Sequence, residues 1–284
     1  MKIIRDIPSL RGQVRRWRGD SKTVGLIPTM GSLHAGHLSL VRQAKLDCDF
    51  AIATIFVNPT QFAPSEDFDT YPRDEARDIA LLEEMGTDLL FSPDVGEMYA
   101  DGFSTSVSVS GLSECLCGAA RPHFFGGVAT VVSKLLLQSL PDRAYFGEKD
   151  FQQLQVIKRM AQDLDIPVDI RGVPTMREDD GLAMSSRNKY LSPEERSVAS
   201  TLYRVLQDVA QKFADGANAG AALAEGVATL RATGFDPIDY LEIRDSETFE
   251  ALKTDNGKAR VFVAAHLGGT RLIDNAAVPN QVVS

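Results

Sequence analysis

The stretch Thr23-Val24-Gly25-Leu26-Ile27-Pro28-Thr29-Met30-Gly31-Ser32-Leu33-His34-Ala35-Gly36-His37-Leu38 decides the fold. Residues 23–27 are an apolar run that reads as a short strand. Residues 37–46 read as a helix, because Leu38, Val41 and Leu46 fall near helical spacing. Between them, glycine lets the backbone approach a ligand, and the N–H groups at a helix start favour phosphate. Residues 50–57 are nearly continuous in apolar side chains, as expected of a strand covered on both faces. The spacing then predicts a helix over 73–85, with Ile79, Leu82 and Met85 on one side and Gly86 closing it. A strand over 88–91 stops at Ser92-Pro93. Residues 105–110 alternate Val with Ser or Thr, like one side of a hairpin. A helix over 127–140, a strand over 143–146, a helix over 150–164 and a strand over 168–173 complete the series. Repeated βα units imply a parallel sheet with right-handed crossovers.

Beyond Pro174 the pattern changes. Ser192-Pro193-Glu194-Glu195 is a capping box with proline at the first helical position, so a long helix is expected to start there. Residues 217–232 form an alanine-rich helix ended by Gly234 and Pro237. Strands are expected at 239–244, 260–265 and 270–273, the last two joined across Gly268-Gly269. The chain has 284 residues. It therefore divides into an α/β domain over 1–176 and a smaller α+β domain over 177–284, in line with roughly 150 residues per domain.

Hydrophobic residues make up 44% and charged residues 24%, which excludes a disordered or collagen-like chain. Apolar runs such as Val131-Val132 and Leu135-Leu136-Leu137 are broken by Ser133 and Lys134, far short of a membrane span. Met1-Lys2-Ile3-Ile4-Arg5-Asp6 lacks the apolar core of a secretory signal, so a cytoplasmic location is expected. The net charge of −9 disfavours nucleic acid as a partner. An anionic substrate would need a local positive pocket. Cys48, Cys115 and Cys117 are too few and odd in number for a disulfide framework. Cys115 and Cys117, with His123 nearby, lack the spacing and the fourth ligand of a zinc site and read as ordinary thiols.

His34 and His37 stand three residues apart, so both can face one point at the helix start. Two imidazoles aimed at phosphate oxygens can stabilise charge that develops during attack at phosphorus. A zinc pair is disfavoured, since no carboxylate or third histidine lies at ligand spacing. His34-Ala35-Gly36-His37 resembles the HxGH signature of adenylate-forming nucleotidyltransferases. With Pro28-Thr29-Met30-Gly31 in front, it is similar to the pantothenate synthetase (pantoate–β-alanine ligase) family. Four further stretches match in order: Phe56-Val57-Asn58-Pro59-Thr60-Gln61-Phe62, Tyr71-Pro72-Arg73, Phe146-Gly147-Glu148-Lys149-Asp150-Phe151-Gln152-Gln153, and Asp180-Gly181-Leu182-Ala183-Met184-Ser185-Ser186-Arg187-Asn188.

The resemblance implies a Rossmann-like first domain and a homodimer. It implies condensation of D-pantoate with β-alanine, using ATP as co-substrate and Mg2+, through a pantoyl adenylate. By resemblance, Met30, Gly31, Ser32, Leu33, His34, Ala35, Gly36 and His37 line the ATP site. Gly147, Glu148, Lys149 and Asp150 continue it, with His34, His37 and Lys149 catalytic and Asp150 toward the ribose. Met176 belongs to the same site, and Met184, Ser185, Ser186 and Arg187 to the β- and γ-phosphates, on a second domain that closes over ATP. Gln61 and Gln153 are the implied pantoate amides, and Val128, Val131 and Val132 are open between walling the pantoate methyls, forming a buried helix face, or both. Asp78 is open between a magnesium ligand and a solvated helix carboxylate. Around Arg121-Pro122-His123-Phe124-Phe125-Gly126-Gly127-Val128, a mobile flap in the family, His123, Phe124 and Gly126 replace the usual Gly, His and Arg, so His123 is given no role. Two rival readings are another HxGH nucleotidyltransferase and a silent nucleotide-binding module. Gln61, Gln153 and residues 184–187 argue against the first. Intact His34, His37, Lys149 and Arg187 argue against the second.

Overall fold

The structure, a computed structural model, describes residues 1–64, 66 and 68–279. The chain forms two compact units, residues 1–113 with 121–174, and residues 114–120 with 175–284. The elements of the first are β1 (Lys2–Ile4), α1 (Ile7–Gly19), β2 (Val24–Thr29), α2 (Ala35–Asp47), β3 (Phe50–Ile55), α3 (Glu75–Glu84), β4 (Leu89–Phe91) and α4 (Val95–Met98). After the short helix α5 (Cys117–Ala120) come α6 (Phe124–Ser139), β5 (Arg143–Gly147), α7 (Phe151–Asp163) and β6 (Asp169–Val173).

The six strands make one parallel sheet in the order β1-β4-β3-β2-β5-β6. The chain leaves β2 toward β3 and β4 on one side and later fills β5 and β6 on the other. The strand order thus reverses between β2 and β5, where ligands collect in open α/β sheets. The β2–β3 ladder runs from Val24↔Phe50 to Thr29↔Ile55, but the β2–β5 ladder ends at Leu26↔Ala144. Pro28 explains part of this. Thr29 faces β3, where its carbonyl accepts from Phe56, so Pro28 faces β5 and brings no N–H to that ladder. A proline is tolerated in a central strand because the pairing on its side has already stopped.

Ile27, Ala51, Ala53, Leu90, Tyr145 and Val173 turn one face of the sheet against Leu40, Val41 and Ala44 of α2 and Leu82 of α3. α6 and α7 pack on strands of the sheet and on each other. α6 is buried along most of its length, including Val128, Val131 and Val132, which bears out the buried-face reading of those three.

The second unit has its own core. α8 (Pro193–Ala199), α9 (Thr201–Ala214) and α10 (Ala219–Ala232) precede an antiparallel sheet of β7 (Phe235–Asp245), β8 (Ala259–Leu267) and β9 (Thr270–Ala277). Leu202, Val205, Leu206 and Val209 of α9 and Leu230 of α10 pack on Leu241, Val261 and Val263.

Several expectations are corrected. The capping box at Ser192 forms, with Glu195 reaching back to the Ser192 N–H at 2.8 Å, but the helix breaks at Ser200 and resumes as α9. Residues 105–110 form no strand: Val107 donates to the Thr130 hydroxyl at 2.9 Å rather than to a neighbouring strand. Pro237 does not end a helix but lies inside edge strand β7, within the first of two register shifts, where its missing donor is accommodated. β1, α1, α4 and α5 are additions, three of them too short to carry a period.

Gly127 sits where α6 meets the Pro59–Gln61 turn. A Cβ there would overlap the Thr60 carbonyl and lie 2.7 Å from the Gln61 nitrogen. Alanine ordinarily gains about 1 kcal/mol over glycine in a helix, whereas overpacking costs about 1–3 kcal/mol. Because the obstacle is backbone, the overlap should win. Gly127→Ala is expected to lower the urea midpoint at unchanged m-value; a midpoint equal to or above wild type would mean that the turn retreats freely.

Candidate active site

Three loops leave the C-terminal edge of the parallel sheet next to one another. Residues 30–34 follow β2, the Pro59–Gln61 turn follows β3, and the Glu148–Asp150 turn follows β5. They carry most of the sequence-derived site.

The loop after β2 is tightly turned. Gly31 and Ser32 both have positive φ, 80° and 51°. The N–H groups of Ser32 and Leu33 donate to the two carboxylate oxygens of Asp78, at 2.7 and 2.8 Å. Asp78 lies on α3 and is 1% exposed. It is therefore not a solvated carboxylate, and both of its oxygens are engaged. The Ser32 and Leu33 N–H groups, which precede the helix start, are thus both engaged by this carboxylate.

His34 caps α2. Its Nδ1 accepts from the Gly36 N–H at 3.2 Å, and the His34 N–H donates to Nδ1 of His37 at 3.4 Å. A nitrogen that accepts cannot carry the proton, so both rings are assigned the Nε2–H tautomer. The ring centroids are 4.1 Å apart. Burial pushes the His37 pKa down to about 3, and the neighbouring His34 and Lys149 act in the same direction. That coupling also brings Lys149, from the loop after β5, into the same neighbourhood. Its ammonium lies 3.9 Å from Asp150. The expected pair of imidazoles is present, with His37 acting as a neutral N–H donor rather than a cation.

Gln61 is 8% exposed, and its orientation is fixed. Asn58 donates to Gln61 Oε1 and to the Gly127 carbonyl, both at 3.2 Å. The Tyr99 hydroxyl donates to Asn58 Oδ1 at 2.8 Å. Gln61 Nε2 is thereby turned to Met30 Sδ, 3.0 Å away. A thioether is a weak acceptor, so a carboxylate would compete for this donor. Arg121 pairs with Glu66 at 2.5 and 2.6 Å, donates to the Gln61 carbonyl and stacks on Phe124. Where the resemblance implied a flap, residues from 124 onward begin α6, and the His123 side chain makes no cap. Tyr99 escaped the sequence reading because it stands in no recognisable motif, and Arg121, though it opens the 121–128 stretch, is given no role there. Gln153 lies in the first turn of α7, while its neighbour Gln152 turns away to donate to the Leu112 carbonyl at 2.9 Å.

Met176 and residues 184–187 belong to the second unit. The Met184 N–H donates to the Met176 carbonyl at 3.0 Å, and the Ser185 hydroxyl accepts from the Arg187 N–H at 3.3 Å. The loop is braced from behind. Arg196 pairs with Glu178 and Asp180, both at 2.6 Å, which raises its pKa. Arg177 pairs with Asp274 at 2.6 Å and stacks on Tyr203.

The described residues hold no cluster of three or more His, Cys, Asp or Glu able to cage a metal. Both Asp78 oxygens are engaged by backbone donors and the side chain is 1% exposed, which disfavours Asp78 itself as a magnesium ligand.

Comparison with known proteins decides the chemistry. Residues 2–277 match the family described as pantoate-beta-alanine ligase. The chain belongs to the pantoate–β-alanine ligase family. It is 56% identical to pantothenate synthetase of Paramagnetospirillum magneticum, over 97% of both chains. The crystal structure of pantothenate synthetase from Thermus thermophilus superposes with a TM-score of 0.93 at 49% identity, covering 98% of this chain and 99% of that one. A Francisella tularensis pantoate-beta-alanine ligase, solved with beta-gamma ATP and beta-alanine, gives 0.83 at 35% identity, covering 98% and 97%. The family reaction of this chain is the ATP-dependent joining of pantoate to β-alanine to give pantothenate.

An ordinary histidine titrates near 6.5. His37 is expected to show no change in its ring carbon shifts between pH 8 and 5 in NMR, since its pKa is held near 3. The unfolded chain takes up a proton there that the folded chain refuses, so this residue lowers stability as pH falls from about 6.5 toward 3. A midpoint near 6.5 in the folded protein would contradict the assignment of a neutral ring.

Proposed function

We propose that the loops after β2, β3 and β5 carry both half-reactions. Pantoate binds with its carboxylate at the Gln61 amide and with Gln153 close by. ATP lies along residues 30–37 and 147–150, with its α-phosphate at His34, His37 and Lys149. The pantoate carboxylate attacks the α-phosphorus, the bond to the β-phosphate oxygen breaks, and pyrophosphate leaves. Negative charge accumulates on the α-phosphate oxygens during this step. Neutral Nε2–H donors and one ammonium group, fixed beforehand, stabilise that charge without reorganisation. The β-alanine amine then attacks the acyl carbon, loses a proton, and AMP leaves with the electron pair of the acyl–oxygen bond.

The observation that carries this reading is that His34 and His37, following β2, and Lys149, following β5, stand on adjacent strand ends where the strand order reverses. A carboxylate is a poor acyl donor, and adenylation supplies a leaving group without a covalent enzyme intermediate. Residues 184–187, with two hydroxyls and a guanidinium on a braced loop, suit the β- and γ-phosphates. Met176 accompanies them, and domain closure brings this group to ATP. Magnesium would accompany the triphosphate as its counter-ion. A homodimer in the cytoplasm completes the proposal; sedimentation at micromolar concentration tests the dimer. No helix among the described residues is long and apolar enough to cross a membrane.

A coupled assay tests the whole reading: AMP should form only with both pantoate and β-alanine present. With ATP and pantoate alone, about one equivalent of pyrophosphate per site is expected. His37→Ala and Lys149→Ala should each lose on the order of 100- to 1,000-fold in adenylation, the usual cost of one oxyanion donor. A folded variant with near-normal adenylation removes that residue from the mechanism. Gln61→Glu replaces the donor with a carboxylate facing pantoate's own, and repulsion in a desolvated cleft exceeds that in water. Calorimetric titration should find pantoate affinity strongly reduced and ATP affinity little changed. Equal pantoate affinity in both proteins would mean that Gln61 is not a pantoate ligand.

A further inference from the structure

Two successive backbone N–H groups in a turn of positive φ form a concavity that binds anions. In this chain the concavity at Ser32 and Leu33 is filled from within, by a side chain of α3. We propose that Asp78 is a positioning residue: it clamps the 31–33 backbone and through it aims His34 and His37.

The geometry supports this from both sides. Ser32 has φ 51°, a strained conformation for a non-glycine residue that persists only where surroundings enforce it. Asp78 enforces it with bonds of 2.7 and 2.8 Å to consecutive N–H groups. Gly31 is required by the same contact. It has φ 80°, and a Cβ there would lie 2.9 Å from Asp78 Oδ2. Arg77, the neighbour of Asp78 on α3, donates to the Leu33 carbonyl at 3.3 Å, so the loop is held by donor and acceptor together. The next residue is His34, whose cap on α2 fixes both imidazole tautomers. A shift of the loop is thus transmitted directly to the two rings.

The alternative role, a direct magnesium ligand, needs carboxylate oxygens turned to the ATP phosphates. Both oxygens here already accept backbone hydrogen bonds, and the residue is 1% exposed. The two roles separate experimentally. The proposal rests on the reading that His34 and His37 act at the α-phosphate, so the test includes a readout that needs neither ATP nor metal.

Asp78→Asn keeps the size but replaces one acceptor with a donor facing an N–H. In metal-free, ligand-free enzyme the ring signals of His34 and His37 should move, as seen by 1H–13C NMR. Adenylation should fall at least about tenfold in kcat, with the Mg2+ concentration for half-maximal rate unchanged. Gly31→Ala displaces the loop while leaving the carboxylate in place. It should give a similar loss, and the double variant should be far from additive, as for groups acting through one contact. Unmoved histidine signals in folded Asp78→Asn would overturn the proposal, as would a marked rise in the Mg2+ requirement. Additive losses in the double variant would also overturn it. Moved histidine signals with normal adenylation would leave the clamp standing and would instead fail the reading of the histidines as α-phosphate donors.

Discussion

β2 is paired to β3 along its whole length and to β5 only at its beginning. That unequal pairing governs the first unit. The full ladder holds the loops after β2 and β3 side by side, which brings Met30 Sδ to 3.0 Å from Gln61 Nε2. The truncated ladder lets the ends of β2 and β5 emerge without cross-links, and the histidines and Lys149 stand on those two ends. Pro28 marks the boundary, since a residue with an N–H at that place would be left with an unpaired donor or would extend the ladder.

Much of this was legible because the signals were local and redundant. The apolar run of residues 50–57 becomes β3, shorter by two residues where Val57 turns into the loop. The Ser192 box is a real cap, because its geometry is set by four consecutive residues. The length of the helix beyond that cap is not a local matter. The break at Ser200 depends on how α8 and α9 meet the rest of their unit, and no residue in the run announces it. The alternation at residues 105–110 misled for a related reason. Period-two patterning describes a strand only if a partner strand exists, and here Thr130 of α6 takes the Val107 donor instead.

The candidate site divides in the same way. The motif residues stand where their spacing suggested, His34 and His37 on one helix start and Gln61 directly after β3. The supporting groups were not visible, because their roles come from sequence-distant contacts. Tyr99 reaches Asn58 across 41 positions, and Asp78 reaches Ser32 across 46. A sequence shows that a carboxylate exists on a helix, and only the fold shows what faces it. The electrostatics obey the same division: in a chain of net charge −9 the fold desolvates the His37 imidazole near Lys149 and sets the buried Asp78 carboxylate against backbone donors.

The reciprocal cap between His34 and His37 also bears on trespass by transition metals. An imidazole ligates a metal through a nitrogen lone pair. In this pair both Nδ1 lone pairs are occupied by backbone N–H groups at the head of α2, and each Nε2 carries its proton. To capture zinc or copper, a ring would have to move its proton to Nδ1, which would then confront the N–H it now accepts. The first turn of the helix would loosen as the metal bound. A sequence with two neighbouring histidines, outwardly an invitation to zinc, thus carries its own deterrent in the wiring of one helix end.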